Sequence, residues 1–188
     1  MRKLKLQVQL SIDGFIAGPN GEMDWLTWDW DEELKQYVGD LTEPVDCILL
    51  GQNLGPGFIQ AWSERASDPE AADPSAHKFN DTPKIIFSRT LEPGDWKNAV
   101  IERGDVTEAV RRLKQQEGGD LIAYGGARFV SSLIAAGLID DLHLFVNPTA
   151  LGQGMPIFIG RTPLRLAEAK AFSCGIVVHH YQPVGNEE

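Results

Sequence analysis

Leu121-Ile122-Ala123-Tyr124-Gly125-Gly126-Ala127-Arg128-Phe129 decides the fold class. A short apolar run stops at two glycines, and residues 127–136 then carry a helical periodicity that Gly137 closes. A buried strand that feeds a helix through a glycine turn is the building unit of an α/β protein with parallel strands and right-handed crossovers. The same alternation runs upstream. Asp105 and Glu108 have the spacing of a capping box, ahead of Val106, Ala109, Val110 and Leu113 on one helical face, and Gly118-Gly119 ends that helix. Short apolar runs at 99–102, at Ile85-Ile86-Phe87 and at Cys47-Ile48-Leu49-Leu50 read as strands. A helix is predicted from near Asp31, where three acidic residues suit a helix start and Leu34, Tyr37, Val38 and Leu41 form a stripe. Between Leu4 and Ile12 every second residue is apolar, the pattern of a strand with one face buried. Residues 51–83, rich in Pro, Gly, Ala, Ser and Asp, read as a loop holding at most one short helix around 59–65.

Downstream of Gly137 the character changes. Residues 141–146, 164–172 and 176–182 look like strands without intervening helices, the last two joined at Ser173-Cys174-Gly175 as an antiparallel hairpin. The fold class expected is therefore α/β, a mixed, mostly parallel sheet flanked by helices with a C-terminal antiparallel hairpin. A length of 188 residues and 43% apolar content predict one domain over 1–188.

A net charge of −10 with no local basic stripe argues against a nucleic-acid partner and for a small-molecule one. The start, Met1-Arg2-Lys3-Leu4-Lys5, has no apolar core of a leader, and no run approaches the roughly 18 apolar residues of a membrane span, so a cytoplasmic protein with no membrane partner is expected. Cys47 and Cys174 lie far apart in apolar runs and read as reduced, buried thiols. His179 and His180 would point to opposite faces of a strand, a poor arrangement for one metal ion, and no metal site is expected.

Ligands of open α/β sheets bind beyond the carboxyl ends of the parallel strands. Three such ends carry unusual residues: Gly51-Gln52-Asn53, Ser88-Arg89-Thr90 and Gly125-Gly126-Ala127-Arg128. Glycine lets a phosphate approach the backbone, and the helix starting at Ala127 adds its dipole. An arginine between two hydroxyls suits a phosphate monoester. A glycine pair is also ordinary turn chemistry, and an arginine after a strand is ordinarily solvated; what weighs for binding is that both would lie on one edge. A diphosphate site beside a separate phosphate site is what NADPH requires and NADH does not.

Ser11-Ile12-Asp13-Gly14-Phe15-Ile16-Ala17-Gly18-Pro19-Asn20-Gly21, Asp24-Trp25, Phe87 to Leu91, Gly125-Gly126, and Gly137 to Leu142 leading to Pro148, Gly152, Gly154 and Phe158 together resemble the C-terminal reductase domain of bifunctional riboflavin-biosynthesis deaminase-reductases. The resemblance runs nearly end to end and implies a dihydrofolate reductase-like fold, an NADPH-dependent reductase and a homodimer. By that likeness Ile16 and Ala17 touch the nicotinamide end, Gly51, Gln52 and Asn53 with Gly125, Gly126, Ala127, Arg128 and Phe129 the diphosphate, and Ser88, Arg89 and Thr90 the 2′-phosphate. No His-x-Glu with Pro-Cys-x-x-Cys occurs, so base deamination is excluded. The chain departs from the family twice. Gly51-Gln52-Asn53-Leu54 stands where the family has Gly-Arg-x-Thr, and Tyr124 stands where the riboflavin reductases place a substrate-holding Glu.

Hydride transfer needs an acceptor carbon held against the nicotinamide, and a proton. Asp13, at the end of the first strand, and Glu33, in the acidic start of the first helix, are the candidate catalytic carboxylates; each is equally a turn or capping residue. Trp25, with Trp28 and Trp30 close behind, suggests a wall for a flat ring, and Tyr124 a substrate contact. The expected activity is reduction of a small pyrimidine or pterin-like heterocycle or a carbonyl compound, similar to that of 5-amino-6-(5-phosphoribosylamino)uracil reductase. The alternatives are a nucleotide-binding module without catalysis and a dihydrofolate reductase proper.

Overall fold

The computed structural model describes residues 1–69 and 75–184. Its main sheet has eight strands in the order β5-β4-β3-β6-β1-β7-β10-β9, with β1 Leu4–Leu10, β3 Val45–Gly51, β4 Lys84–Phe87, β5 Ala99–Glu102, β6 Asp120–Tyr124, β7 Asp141–Val146, β9 Leu164–Ala171 and β10 Val177–Pro183. The six strands from β5 to β7 in that order are mutually parallel, whereas β10 runs antiparallel to both β7 and β9. This is the mixed, mostly parallel architecture that the alternation of strand and helix implied.

Among the described residues five helices flank it: α1 Glu32–Thr42, α2 Gly55–Ser67, α3 Ser75–Asp81, α4 Val106–Gln115 and α5 Ala127–Ala135. Local chemistry starts two of them as the sequence predicts. The Asp31 carboxylate accepts from Leu34 N at 2.8 Å and that of Asp105 from Glu108 N at 3.0 Å, each satisfying one of the free N–H groups of a first helical turn.

Leu4, Leu6, Val8 and Leu10 of β1 face a core shared with Ala109 and Val110 of α4 and Val130, Leu133 and Ile134 of α5. Leu34, Val38 and Leu41 of α1 close the opposite face over Ile48, Leu50, Ile122 and Phe145. Each fully buried leucine or isoleucine contributes about 1.5–3 kcal/mol, and the second cluster shows that β1 is covered on both sides. The expectation of one solvent face is therefore corrected. Lys5 and Gln7, the polar half of the alternation, lie beneath helices because β1 occupies a central place, with Lys5 Nζ donating to Leu41 O at 3.0 Å.

Residues 51–83 hold more helix than expected: the short helix predicted around 59–65 is part of the longer α2, and α3 stands where loop is predicted; 70–74 lie outside the described residues. Glycine and proline there read as breakers, yet Pro56 sits in the first turn of α2, where its missing N–H costs nothing. Phe58 and Trp62, four residues apart, fasten α2 to the core, and Trp62 stacks on Phe79 of α3 with ring centroids 4.3 Å apart. A short strand that the sequence analysis does not assign, β2 Phe15–Ala17, lies between turns at Gly14 and Gly21 and pairs with β8 Met155–Pro156. The hairpin turns at Gly175, whose φ of +93° suits glycine. Both cysteines are free thiols, Cys47 buried and Cys174 half-buried. Among the described residues no helix is long and apolar enough to cross a membrane.

Candidate active site

Because β4, β3, β6 and β1 are neighbours and parallel, Phe87, Gly51, Tyr124 and Leu10 end on one rim of the sheet. The loops that follow them touch. Ser88 Oγ donates to Gln52 Oε1 at 2.6 Å and accepts from Leu91 N at 2.9 Å, so the loops after β3 and β4 are tied together. Arg103 donates to the carbonyls of Arg89 and Leu91, both at 3.0 Å, and holds that turn. A Cβ on Gly125 would lie 3.5 Å from Leu54 and 3.7 Å from Ile16, so the loop after β6 meets the start of α2 and strand β2.

The glycines at this rim have separate reasons. At Gly51 a Cβ would come within 2.9 Å of Phe129 Cβ, so its absence lets α5 sit close against β3. Phe129 in turn stacks on Phe87 at 5.3 Å. Gly126 has φ +85° and is the N-cap of α5, with no side chain to accept from the first turn. The N–H groups of that turn and the positive end of the helix dipole therefore remain for an anion. Arg89 and Arg128 are exposed, and among the described residues neither enters an ion pair. Ile16, Gly51, Gln52, Ser88 and Gly125 to Phe129 thus come together; Asn53, Arg89 and Thr90 are exposed beside them, and Ala17 ends β2.

The two carboxylates singled out by sequence have other partners. Asp13 accepts from Ser11 Oγ at 2.6 Å, from Gly152 N at 2.7 Å and from Leu151 N at 3.1 Å, and these bonds, in that order, hold its carboxyl at about 2. It is an ionised clamp on the chain after β7. Glu33 is exposed and pairs with Lys170 of β9 at 2.9 Å, away from the rim. The neighbouring Asp31, besides capping α1, accepts from Ser173 Oγ and Cys174 N of the hairpin. Trp25 is half-buried and donates its ring N–H to Glu22 O at 3.0 Å. The ring of Tyr124 leans into the core, stacked on Phe58 at 5.3 Å, with its hydroxyl buried and unpartnered and its pKa pushed well up by burial.

Sequence reading missed a group on the helix α1 side of β1. Asn147, wholly buried after β7, donates to Gln9 Oε1 at 2.8 Å and to Phe145 O at 3.1 Å while its own Oδ1 accepts from Thr27 N at 3.0 Å. It therefore fixes at once a side chain of β1 and the loop that carries Trp28 and Trp30. Trp30 stacks on Phe145, and Trp28, 65% exposed, stacks on Trp30. Gln7, one step further into the sheet, is 7% exposed, and its Oε1 has no partner. The available signal was Gln7 and Gln9 in a strand whose neighbours are apolar runs, since a polar alternation in an inner strand has no solvent to face.

A second polar cluster joins β7, β10 and α1. His143 and His180 face each other across the strands with rings stacked at 4.2 Å; His143 Nδ1 hydrogen-bonds the Tyr37 hydroxyl and His180 Nε2 the Asp141 carboxylate, both at 2.8 Å. Burial, and then the adjacent His180, push His143 down to about 3. Burial pushes Asp141 up, but bonds from Gln182, His180 and Lys3 outweigh it and leave the carboxyl at about 2. A hollow of about 400 Å³, lined by Ile139, Leu142, Arg161 and Leu164 among others, opens at the amino end of β7, the end opposite the rim.

Residues 2–178 match the family model of the RibD C-terminal domain. Over 190 residues, 96% of this chain and 95% of the relative, the sequence is 32% identical to the uncharacterised protein YyaP of Bacillus subtilis (strain 168). In structure it is similar to Acinetobacter baumannii RibD, with a TM-score of 0.71 and 17% identity over 98% of this chain and 58% of that one. It is similar too to a diaminohydroxyphosphoribosylaminopyrimidine deaminase/5-amino-6-(5-phosphoribosylamino)uracil reductase from Thermotoga maritima, with a TM-score of 0.68 and 15% identity over 97% of this chain and 57% of that one.

Proposed function

Since the chain belongs to the family of the RibD C-terminal domain, we propose that it is an NADPH-dependent reductase of a small planar heterocycle, pyrimidine or pterin-like, or of a carbonyl compound. The observation that carries this is the convergence of the loops after β3, β4 and β6 on one rim, with an uncapped helix start and a close-packed glycine at Gly51. These residues fit a phosphorylated dinucleotide. The first turn of α5, from Ala127 to Phe129, with Gly125, Gly126 and Gly51 to Asn53, would hold the diphosphate; Ser88, Arg89 and Thr90 would hold the 2′-phosphate. Gln52 has lost the guanidinium of the family pattern, but by accepting from Ser88 it fixes the turn that presents Arg89. Ile16 and Ala17 would back the nicotinamide ring, which supplies the hydride when bound.

The protein's own contribution is position. Trp28 and Trp30 wall a flat substrate, and Asn147 fixes that wall relative to β1. Asp13 is ionised above about pH 2 and committed to Gly152 and Leu151, so it shapes the mouth of the site instead of giving up a proton. Glu33, tied to Lys170, serves to seat α1 on the hairpin. The proton comes from water at the open rim. We take residues 1–188 as one domain of a cytoplasmic homodimer, with the little-covered outer strand β9 as the contact and neither nucleic acid nor membrane as a partner.

Titration of NADPH and NADH by fluorescence is the first test, with NADPH expected to bind at least tenfold tighter; equal or tighter NADH removes the 2′-phosphate site. Steady oxidation of NADPH is then expected with at least one member of a panel of diaminopyrimidines, pterins, dihydrofolate and small carbonyls. Nucleotide binding without turnover on any of them would make the protein a binding module.

A further inference from the structure

We propose that Gln7 reads the substrate ring: its Oε1 accepts an N–H of a neutral planar heterocycle, while Gln9 donates its amide to a ring carbonyl. The inference rests on the reductase reading above and specifies how that site chooses its substrate.

The geometry begins with the row that crosses the sheet. Gln7 is paired in register with Tyr124 of β6 on one side and His143 of β7 on the other. It shares the face of Lys5, which reaches the end of α1, because side chains two apart in a strand point the same way. Tyr124 is covered by Phe58 of α2, and His143 by Tyr37 of α1, so Gln7 stands between the supports of the two helices. Towards the carboxyl end the same face carries Gln9, and the chain then runs through Ser11 and Asp13 to Ile16 at the rim.

A buried carbonyl oxygen without a donor loses its hydration with nothing in return, and a fold keeps such a group where something else satisfies it. Among the described residues only Gln7 Oε1 and the Tyr124 hydroxyl are buried side-chain atoms of this kind. Neither neighbour on the row is shown satisfying it: His143 Nδ1 is taken by Tyr37, and the Tyr124 ring is held against Phe58 and Phe79. Gln9 is the complement. Asn147 holds its Oε1, which orients the amide so that Nε2 is the end left for a ligand. An acceptor at Gln7 and a donor at Gln9 stand on one face of β1, the two kinds of group that an N–H and a C=O of one ring require, and the Trp28–Trp30 stack rests on Phe145, the residue paired with Gln9.

Charge points the same way. The carboxylates at the start of α1 are spent on the hairpin and on α1 itself, Asp31 on Ser173 and Cys174, Glu32 on Lys35 and Glu33 on Lys170. A protonated ring would meet no free acid from this helix start, whereas a neutral lactam meets two amides.

Calorimetric titration of 5,6-diaminouracil and of 5,6-diamino-1,3-dimethyluracil into the NADP⁺-loaded protein tests the proposal, since the two rings differ only at the ring nitrogens. The N–H ring is expected to bind at least tenfold tighter than its N-methyl counterpart. In Gln7→Met, a swap of similar shape, that preference should fall to within about twofold, with NADP⁺ affinity unchanged and a melting temperature no lower than wild type. Equal affinity of the two rings for the wild-type protein overturns the proposal without any variant, as expected if Gln7 holds only an ordered water. A preference that persists in Gln7→Met overturns it as steric, and so does the absence of binding by both rings to protein that has bound NADP⁺. Protein that fails to bind NADP⁺ brings down the reductase reading itself.

Discussion

The rim beyond β3, β4 and β6 and the cluster between β7 and β10 are both polar, yet they differ in what their groups are bonded to. In the cluster Asp141 receives Lys3, His180 and Gln182, and Tyr37 bonds His143, so charge and hydrogen bonds are settled within the protein. At the rim Arg89 and Arg128 enter no ion pair among the described residues, and α5 starts on a glycine. Buried polar groups that satisfy one another hold a fold together, while polar groups left open at a strand-end rim mark a place for a ligand.

The contrast breaks hardest at the glycine turn. Replacing Gly125 and Gly126 together by valine is expected to abolish binding of NADPH and NADH, because the branched side chains fill the space over the turn where Cβ alone already touches Leu54 and Ile16, and a β-branched residue is strained at φ +85°. Circular dichroism should remain native-like with a lowered melting point; undiminished nucleotide binding would dissociate the turn from the site.

The cluster should respond to acid. His143 takes up a proton at about 3 in the folded protein and near 6.5 once unfolded, so its contribution to stability is full above pH 6.5 and drains as pH falls towards 3. The loss is on the order of 4 kcal/mol, joined below pH 3.8 by the carboxylates held at about 2, Asp141 among them. Urea melts between pH 3 and 7.5 should show this slope in the wild-type protein and a flatter one in His143→Gln; identical slopes would sink the assignment.

A smaller effect sharpens the other side. Arg89→Ala should reduce the preference for NADPH over NADH by roughly 1.5 to 3 kcal/mol, the range for a hydrogen bond to a charged group, and leave the melting temperature unchanged because the side chain is exposed and enters no ion pair among the described residues. A variant that melts earlier but keeps its preference would make Arg89 a support of the fold and remove it from the rim's binding groups.

The sequence made the architecture readable wherever periodicity and capping agreed. Asp31 and Asp105 start helices as expected, and Gly126 turns β6 into α5. It misled where one residue type has two uses. Pro56 and the glycines around it could break a chain or begin a helix, and only the packing of Phe58 and Trp62 selects the second. The convergence of the loops after β3, β4 and β6 on one rim was legible because parallel strands joined by right-handed crossovers end on the same edge of a sheet. The substrate half of the site was not. Gln7, Gln9 and Asn147 are ordinary polar residues until β1 is known to lie between β6 and β7, and that placement is set by contacts more than 100 residues apart.

The position of β1 also governs how the molecule can be made. Its two neighbours leave the ribosome only after β1 has emerged and waited, so for most of synthesis an apolar strand has both edges bare and open to pairing with another nascent copy. Lys5, Gln7 and Gln9, at alternate positions along it, discourage that pairing, and a register closed by distant segments is expected to settle late. The glutamines that read a ring in the finished protein would thus also keep its unfinished chains apart.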